Sequence, residues 1–272
     1  MKNHRFLNIS ILSLVLILIL ATLMTGCSNG EQGSKKTTGK EKEVTLTVAA
    51  AASLQNPLNK IKELYMKGHP DVKITYNFGG SGALQQQIEQ GAPIDLFFSA
   101  ATKQMTALKN EHLLIDSSIK NLLKNDVVLI VPKTSTDVKS LNDLTKASVK
   151  KVALGEPASV PAGQYGKEVL THFQLMDKLK SKAVYGKDVE TVLNWVATGN
   201  ADAGIVYKTD ALSSKSVRLV TTAPAGSHDP VVYPAAVIKG SKHAAAAKQF
   251  LNYLTEDTAT KIFKNAGFEI DD

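Results

Sequence analysis

Two serines stand where a strand gives way to a helix, a place where backbone alone can hold an anion. Ser53 follows Val44-Thr-Leu-Thr-Val-Ala-Ala-Ala-Ala and precedes a segment in which Leu54, Leu58, Ile61 and Tyr65 return at helical spacing. Ser81 repeats the arrangement: Val72, Ile74, Tyr76 and Phe78 alternate as a strand, Gly79-Gly80-Ser81-Gly82 follows, and a helix from Ala83 to Gln90 is closed by Gly91. Such a junction points unpaired N–H groups and the positive end of the helix dipole into a crevice, so it favours negative charge. Cationic help is scarce, since Arg218 is the only arginine after Arg5. An anion bound by this chain is therefore expected to meet neutral donors rather than guanidinium forks.

Nucleophilic chemistry is the competing use of Ser81. Gly79-Gly80-Ser81-Gly82-Ala83 comes after a strand and before a helix, as a nucleophile elbow does, with His172, His228 or His243 as the base. Ala83 replaces the last elbow glycine and no Asp-then-His pairing stands out, so a serine hydrolase is the remote alternative and no enzyme is expected. His69, His112, His172, His228 and His243 fall in separate elements without ligand spacing, which gives a metal-ion centre no support. Trp195 and the Phe97-Phe98 pair read as core, and Asp95 as a structural residue holding a local turn.

The elements that would position these groups alternate along the chain. After a buried strand at Ile94 to Ser99 and a polar helix around Thr102 to Leu108 comes the apolar run Val127 to Val131. Ser140 can cap a short helix, Lys151 to Leu154 is a strand, and Pro161 opens a helix through Phe173 whose first free N–H groups belong to Ala162, Gly163 and Gln164. Asp188 is the N-cap of a helix with Val189, Val192, Leu193 and Val196 on one face. Strands follow at Ala203 to Tyr207, Val217 to Val220 and Val231 to Ile238, then a Ser241-capped helix to Leu254 and a last helix to Asn265. Strands alternating with helices predict an α/β architecture with largely parallel sheets. Such sheets bind ligands beyond the carboxyl ends of their strands, where Ser53, Ser81, Ala162, Val189 and Tyr207 all fall.

Residues 1–27 read as an export signal, with Lys2, His4 and Arg5 before an apolar run from Phe6 to Leu20. The segment ends in Leu23-Met24-Thr25-Gly26-Cys27, which resembles the lipobox of bacterial lipoproteins and implies acylation of Cys27, the only cysteine. Residues 28–43 contain no apolar side chain and read as a flexible tether. The formal net charge of +7 falls to +5 without Lys2 and Arg5, scattered as lysine with no basic, aromatic-interleaved block, so no nucleic acid is expected as partner.

Six stretches together carry a resemblance that none carries alone: Ala50-Ala-Ala-Ser-Leu54, Gly79-Gly-Ser-Gly-Ala-Leu84, Gly91-Ala-Pro-Ile-Asp-Leu-Phe-Phe-Ser-Ala100, Val160-Pro-Ala-Gly163, Lys187-Asp-Val189 and Gly204-Ile-Val-Tyr207. In order and across essentially all of 44–272, they resemble the molybdate-binding proteins of bacterial ABC transporters. The resemblance implies a two-lobed, type II periplasmic-binding-protein-like α/β fold with mostly parallel sheets and an interlobe cleft. Lobe 1 would be 44–126 plus 222–272 and lobe 2 would be 127–221.

It also implies the site: hydroxyl and N–H of Ser53 and Ser81, backbone N–H of Ala162 and Val189, and the phenol of Tyr207, holding molybdate or tungstate through its oxygens with no side-chain ligand to the metal. The expected protein is a monomeric, lipid-anchored, extracytoplasmic receptor that delivers its cargo to an ABC permease and needs no cofactor. A deprotonated tetrahedral dianion has only acceptors, so a shell of donors suits it, and protonated phosphate would lack an acceptor for its hydrogen. The nearest alternative is a receptor for another tetrahedral oxyanion such as sulfate. Pro57, inside the first helix, makes Asn56 a possible cap one turn after Ser53. Gly80 and Gly82 stand where relatives often carry serines and allow a more mobile loop.

Overall fold

The computed structural model describes residues 43–271; the export segment, Cys27 and the tether up to residue 42 lie outside them. Strand β1 (Val44–Ala51) runs between two parallel neighbours, β2 (Val72–Gly79) and β3 (Leu96–Phe98). A central strand with both faces covered has no polar side, which is why the alternation of Leu46 and Val48 gives way to buried alanines at 49–52. Helix α1 (Gln55–Gly68) buries Leu58, Ile61 and Tyr65. It starts straight after a 3₁₀ turn, Ala52–Leu54. Pro57 therefore falls in the first helical turn, where a missing N–H costs nothing, and Asn56 is not a cap.

Helices α2 (Ser81–Glu89) and α3 (Thr102–Asn110) follow β2 and β3. Strand β4 (Lys120–Asn125) then completes the first half before the chain leaves for a second sheet at β5 (Val127–Pro132). There β6 (Val152–Gly155) is followed by α4 (Pro161–His172) and α5 (Met176–Leu179), β7 (Ala183–Gly186) by α6 (Val189–Ala197), and β8 (Ala203–Tyr207) by α7 (Lys208–Ser213). After β9 (Val217–Thr222) the chain returns to the first sheet with β10 (Val231–Val237), α8 (Ala244–Tyr253), α9 (Asp257–Asn265) and β11 (Glu269–Ile270). The first sheet has the order β11-β4-β10-β3-β1-β2 and the second β7-β6-β8-β5-β9.

The sheets are mixed rather than mostly parallel. Strands joined through a helix pair in parallel, namely β1 with β2 and β6 with β7, as do β1 with β3 and β6 with β8. Strands on either side of the two sheet-to-sheet passages run antiparallel to their neighbours: β4 and β10 in the first sheet, β5 and β9 in the second. A strand arriving from the other sheet has no crossover helix to reverse its direction, so it enters the opposite way.

Asp95 is structural, but its reach is long rather than local. Its carboxylate accepts the Thr47 N–H at 2.8 Å and the Ser241 hydroxyl at 2.6 Å, tying β1 to the turn after β10. Ser241 is thereby used on Asp95 and on the His243 N–H, and α8 begins only after His243, so Ser241 is not its N-cap. Phe97 and Phe98 are fully buried; Trp195 is only half-buried and packs on the rim of the core.

Candidate anion-binding site

All five sequence-predicted residues line one small cavity of about 10 Å³, room for about one water-sized body. Drug-sized pockets start at roughly 300 Å³, so this space suits an ion better than an organic ligand. Each residue follows the carboxyl end of a strand that has a parallel neighbour: Ser53 follows β1, Ser81 β2, Ala162 β6 and Val189 β7, while Tyr207 ends β8. Both sheets therefore contribute to one wall-to-wall site. None of the residues lining it is charged, and no group of three or more His, Cys, Asp or Glu side chains that could hold a cation occurs among the described residues.

The local folding of each junction decides which donor faces inward. In α4 the Gly163 and Gln164 amides both turn back to the Val160 carbonyl, at 2.9 and 3.0 Å, and Pro161 has no N–H. Of the three amides the sequence offers, only that of Ala162 stays without an intrahelical acceptor. In α6 the Asp188 side chain caps as expected, taking the Thr191 N–H at 2.7 Å, and leaves the Val189 amide as the first free donor. Ser81 is not an N-cap either: it is the first residue of α2, and its Oγ accepts the Ala100 N–H at 3.0 Å. An amide can only donate, so the Ser81 hydroxyl keeps its own hydrogen for the cavity. Its partner is thus a backbone amide rather than the imidazole a nucleophilic serine requires. Ser53 lies in the 3₁₀ turn, with its Oγ 3.0 Å from the Tyr233 hydroxyl.

Tyr207 is the group that most needs something more. Its side chain is 1 % exposed, and its buried hydroxyl makes no hydrogen bond of good geometry, although the neighbouring Tyr233 hydroxyl lies near enough to help raise its pKa. Burial pushes its pKa well above the usual tyrosine value, so the phenol remains a neutral donor. A buried hydroxyl left unmade costs about 1–3 kcal/mol; an acceptor placed in the cavity would remove that cost.

Gly80 and Gly82 serve close approach, not a mobile loop. The Gly82 N–H donates to the Ser159 carbonyl at 2.8 Å, joining a helix of the first sheet to a loop of the second. A Cβ at Gly82 would lie 2.8 Å from Ser159 Cα, and one at Gly80 2.9 Å from the Lys187 carbonyl oxygen.

Sequence reasoning passed over Ala100, which lines the cavity, and three groups behind the lining, Asn125, Asp210 and Tyr233. Ala100 closes one of the recognisable motifs, whereas nothing in the residue types marks the other three. Asp210 is fully buried, and its carboxyl accepts the Tyr207 N–H at 3.0 Å. Burial is the main cause that lifts its pKa to about 8, with the charge of Glu190 adding to it and the Tyr207 N–H opposing. Below that pH the carboxyl is neutral and places no negative charge beside Tyr207. Because the folded value is raised, the stability gained from the neutral form is fully present below the ordinary aspartate value of 3.8 and is lost as pH rises through about 8. In thermal melts without ligand, wild type is expected to lose stability progressively across that window, and Asp210→Asn to lack this slope. Parallel curves for the two proteins would show that Asp210 does not titrate in the fold.

Two α/β halves meeting at a small, uncharged, donor-lined cavity define a solute-binding protein of the two-lobed periplasmic type. The comparisons name the family: the sequence pattern described as "Bacterial extracellular solute-binding protein" matches residues 46–269, and the chain belongs to that family. It is 49 % identical over 90 % of its length to 93 % of the Bacillus subtilis (strain 168) protein named "Putative ABC transporter substrate-binding lipoprotein YvgL". It is 40 % identical over 82 % of its length to 89 % of the molybdate-binding protein ModA of Haemophilus influenzae. Its fold matches the periplasmic molybdate-binding protein of Azotobacter vinelandii with a TM-score of 0.77 and 26 % identity, over 84 % of this chain and all of that one.

Proposed function

We propose that this chain is the extracytoplasmic receptor of an ABC transporter, which captures molybdate or tungstate in the cavity and hands it to a permease without catalysing a reaction. The anion's oxygens accept from the Ser53 and Ser81 hydroxyls and amides, the Ala162 and Val189 amides, and the Tyr207 phenol. Its lobes are 44–126 plus 222–272 and 127–221, the receptor works as a monomer, and an acyl chain on Cys27 holds it to the membrane. The observation that carries this reading is the Tyr207 hydroxyl, buried without a hydrogen bond of good geometry at the edge of a cavity where other uncharged donors converge. The names of the molybdate-binding relatives support the choice of anion, and the lipoprotein relative supports the anchor.

The test is a melting titration of the full chain with molybdate, tungstate, sulfate and hydrogen phosphate. Molybdate at a hundred times its dissociation constant is expected to add about 2.7 kcal/mol of stability, with hydrogen phosphate inert. An equal response to sulfate at equal concentration would defeat the molybdate assignment; no response to any of the four would defeat the site.

A further inference from the structure

The Ser53 hydroxyl meets the hydroxyl of Tyr233, and two hydroxyls can share a hydrogen bond in either direction. The direction decides what Ser53 can offer to the cavity. If Ser53 donates to Tyr233, only its lone pairs remain; if Tyr233 donates to Ser53, the serine hydrogen is free.

Asn125, the last residue of β4, constrains the direction. Its Oδ1 is 2.9 Å from the Asp126 N–H, a group that can only donate, so the amide oxygen must lie on that side. The Nδ2 group therefore faces the other way and presents one hydrogen to Thr209 Oγ1 at 2.9 Å and one to the Tyr233 hydroxyl at 3.2 Å. Tyr233 accepts from Asn125, and for its single hydrogen Ser53 Oγ at 3.0 Å is the acceptor in good geometry, since the neighbouring Tyr207 hydroxyl makes no hydrogen bond of that quality. Leaving that hydrogen unused in a fully buried residue would incur a desolvation penalty. The Tyr233 ring is held in place edge-on by Tyr207 and Phe268, with centroids 5.7 and 5.3 Å away.

We infer that Asn125 and Tyr233 are positioning residues that force Ser53 to act only as a hydrogen-bond donor toward the bound anion, and so make the site reject anions that carry a hydrogen of their own. The inference rests on the proposed oxyanion site and adds how one of its donors acquires its polarity. Neither residue touches the anion. Ser81 reaches the same condition by a shorter route, through the Ala100 amide. The two serines are thus both polarised by backbone N–H groups, one directly and one through two side chains.

The experiment is a double-mutant cycle on the full chain, with binding of molybdate and of hydrogen phosphate measured by calorimetry. Tyr233→Phe keeps the ring and frees the Ser53 hydroxyl to turn. It is expected to weaken molybdate about tenfold, the worth of one net hydrogen bond, and to raise hydrogen phosphate binding relative to molybdate. In a Ser53→Ala background the same change is expected to cost nothing further. Asn125→Ala, which leaves the tyrosine in place, should shift selectivity in the same direction and guards against a packing effect of the first variant. A merely structural role for Tyr233 would give equal losses in both backgrounds and unchanged selectivity, and either result overturns the inference. Wild type that binds none of the anions would overturn the site and the relay together, whereas wild-type binding with additive losses would overturn the relay alone.

Discussion

Ser81→Ala is expected to weaken molybdate binding by between about tenfold and a hundredfold and, separately, to lower the stability of the ligand-free protein. The first loss is that of a hydrogen bond to a charged acceptor, about 1.5–3 kcal/mol. The second arises because the buried Ala100 N–H loses its acceptor, a change of about 1–3 kcal/mol that is present with or without anion. Tyr207→Phe should separate the two effects. It removes a donor to the anion and is expected to cost a similar factor in affinity. Its hydroxyl makes no protein hydrogen bond of good geometry, however, so melting of the free protein should stay at or above wild type. Calorimetric titration beside thermal melts reads both quantities. Wild-type affinity in either variant would take that residue out of the site; a fall in free-protein stability for Tyr207→Phe would mean its hydroxyl has a protein partner after all.

What could be read from the sequence was set by where the physics is local. Strand and helix positions follow from periodicity and caps, and Asp188 capping α6 is a contact three residues long. The junctions on which Ser53, Ser81, Ala162, Val189 and Tyr207 stand were legible for the same reason, since each is a strand end next to a helix start. The choice of these five as one site came from the resemblance, Ala162 and Val189 carrying no signal by type. Sheet direction was not legible, because it depends on which strands arrive from the other sheet, a matter of topology rather than of any window of residues. Strand β4 went unseen because Lys120–Asn125 has only two apolar residues, both buried against strands far away in the sequence. The second layer of the site was equally hidden. Tyr233 sits in an apolar strand and Asn125 in a polar one, 108 residues apart, and only the folded chain brings their side chains to 3.2 Å. Ser241 shows the opposite failure: a serine shortly before a helix has a local use, but a buried carboxylate 146 residues away claims it.

Gly163→Ala is expected to damage the fold itself. In a helix interior this exchange normally stabilises by roughly 0.5–1 kcal/mol, because alanine leaves the unfolded chain fewer conformations to lose. At position 163 the new Cβ would lie 2.0 Å from the Gly155 carbonyl oxygen and 2.4 Å from its carbonyl carbon. Those are backbone atoms of the last residue of β6, buried and paired in register with Gly186 of β7, so neither can give way. Helix α4 must then move off the sheet, and the Ala162 amide one residue earlier must move with it. The expected result is a destabilisation of about 3 kcal/mol or more, at the upper end of what overpacking produces, with anion binding lost alongside. Gly68, the last residue of α1, gives the contrast, since a Cβ there would meet nothing within 4 Å. Gly68→Ala should therefore melt at or slightly above wild type. Urea unfolding of the two variants tests the contrast directly: a Gly163→Ala protein as stable as wild type would mean that α4 does not need contact with β6 at this glycine to hold its first amide toward the cavity.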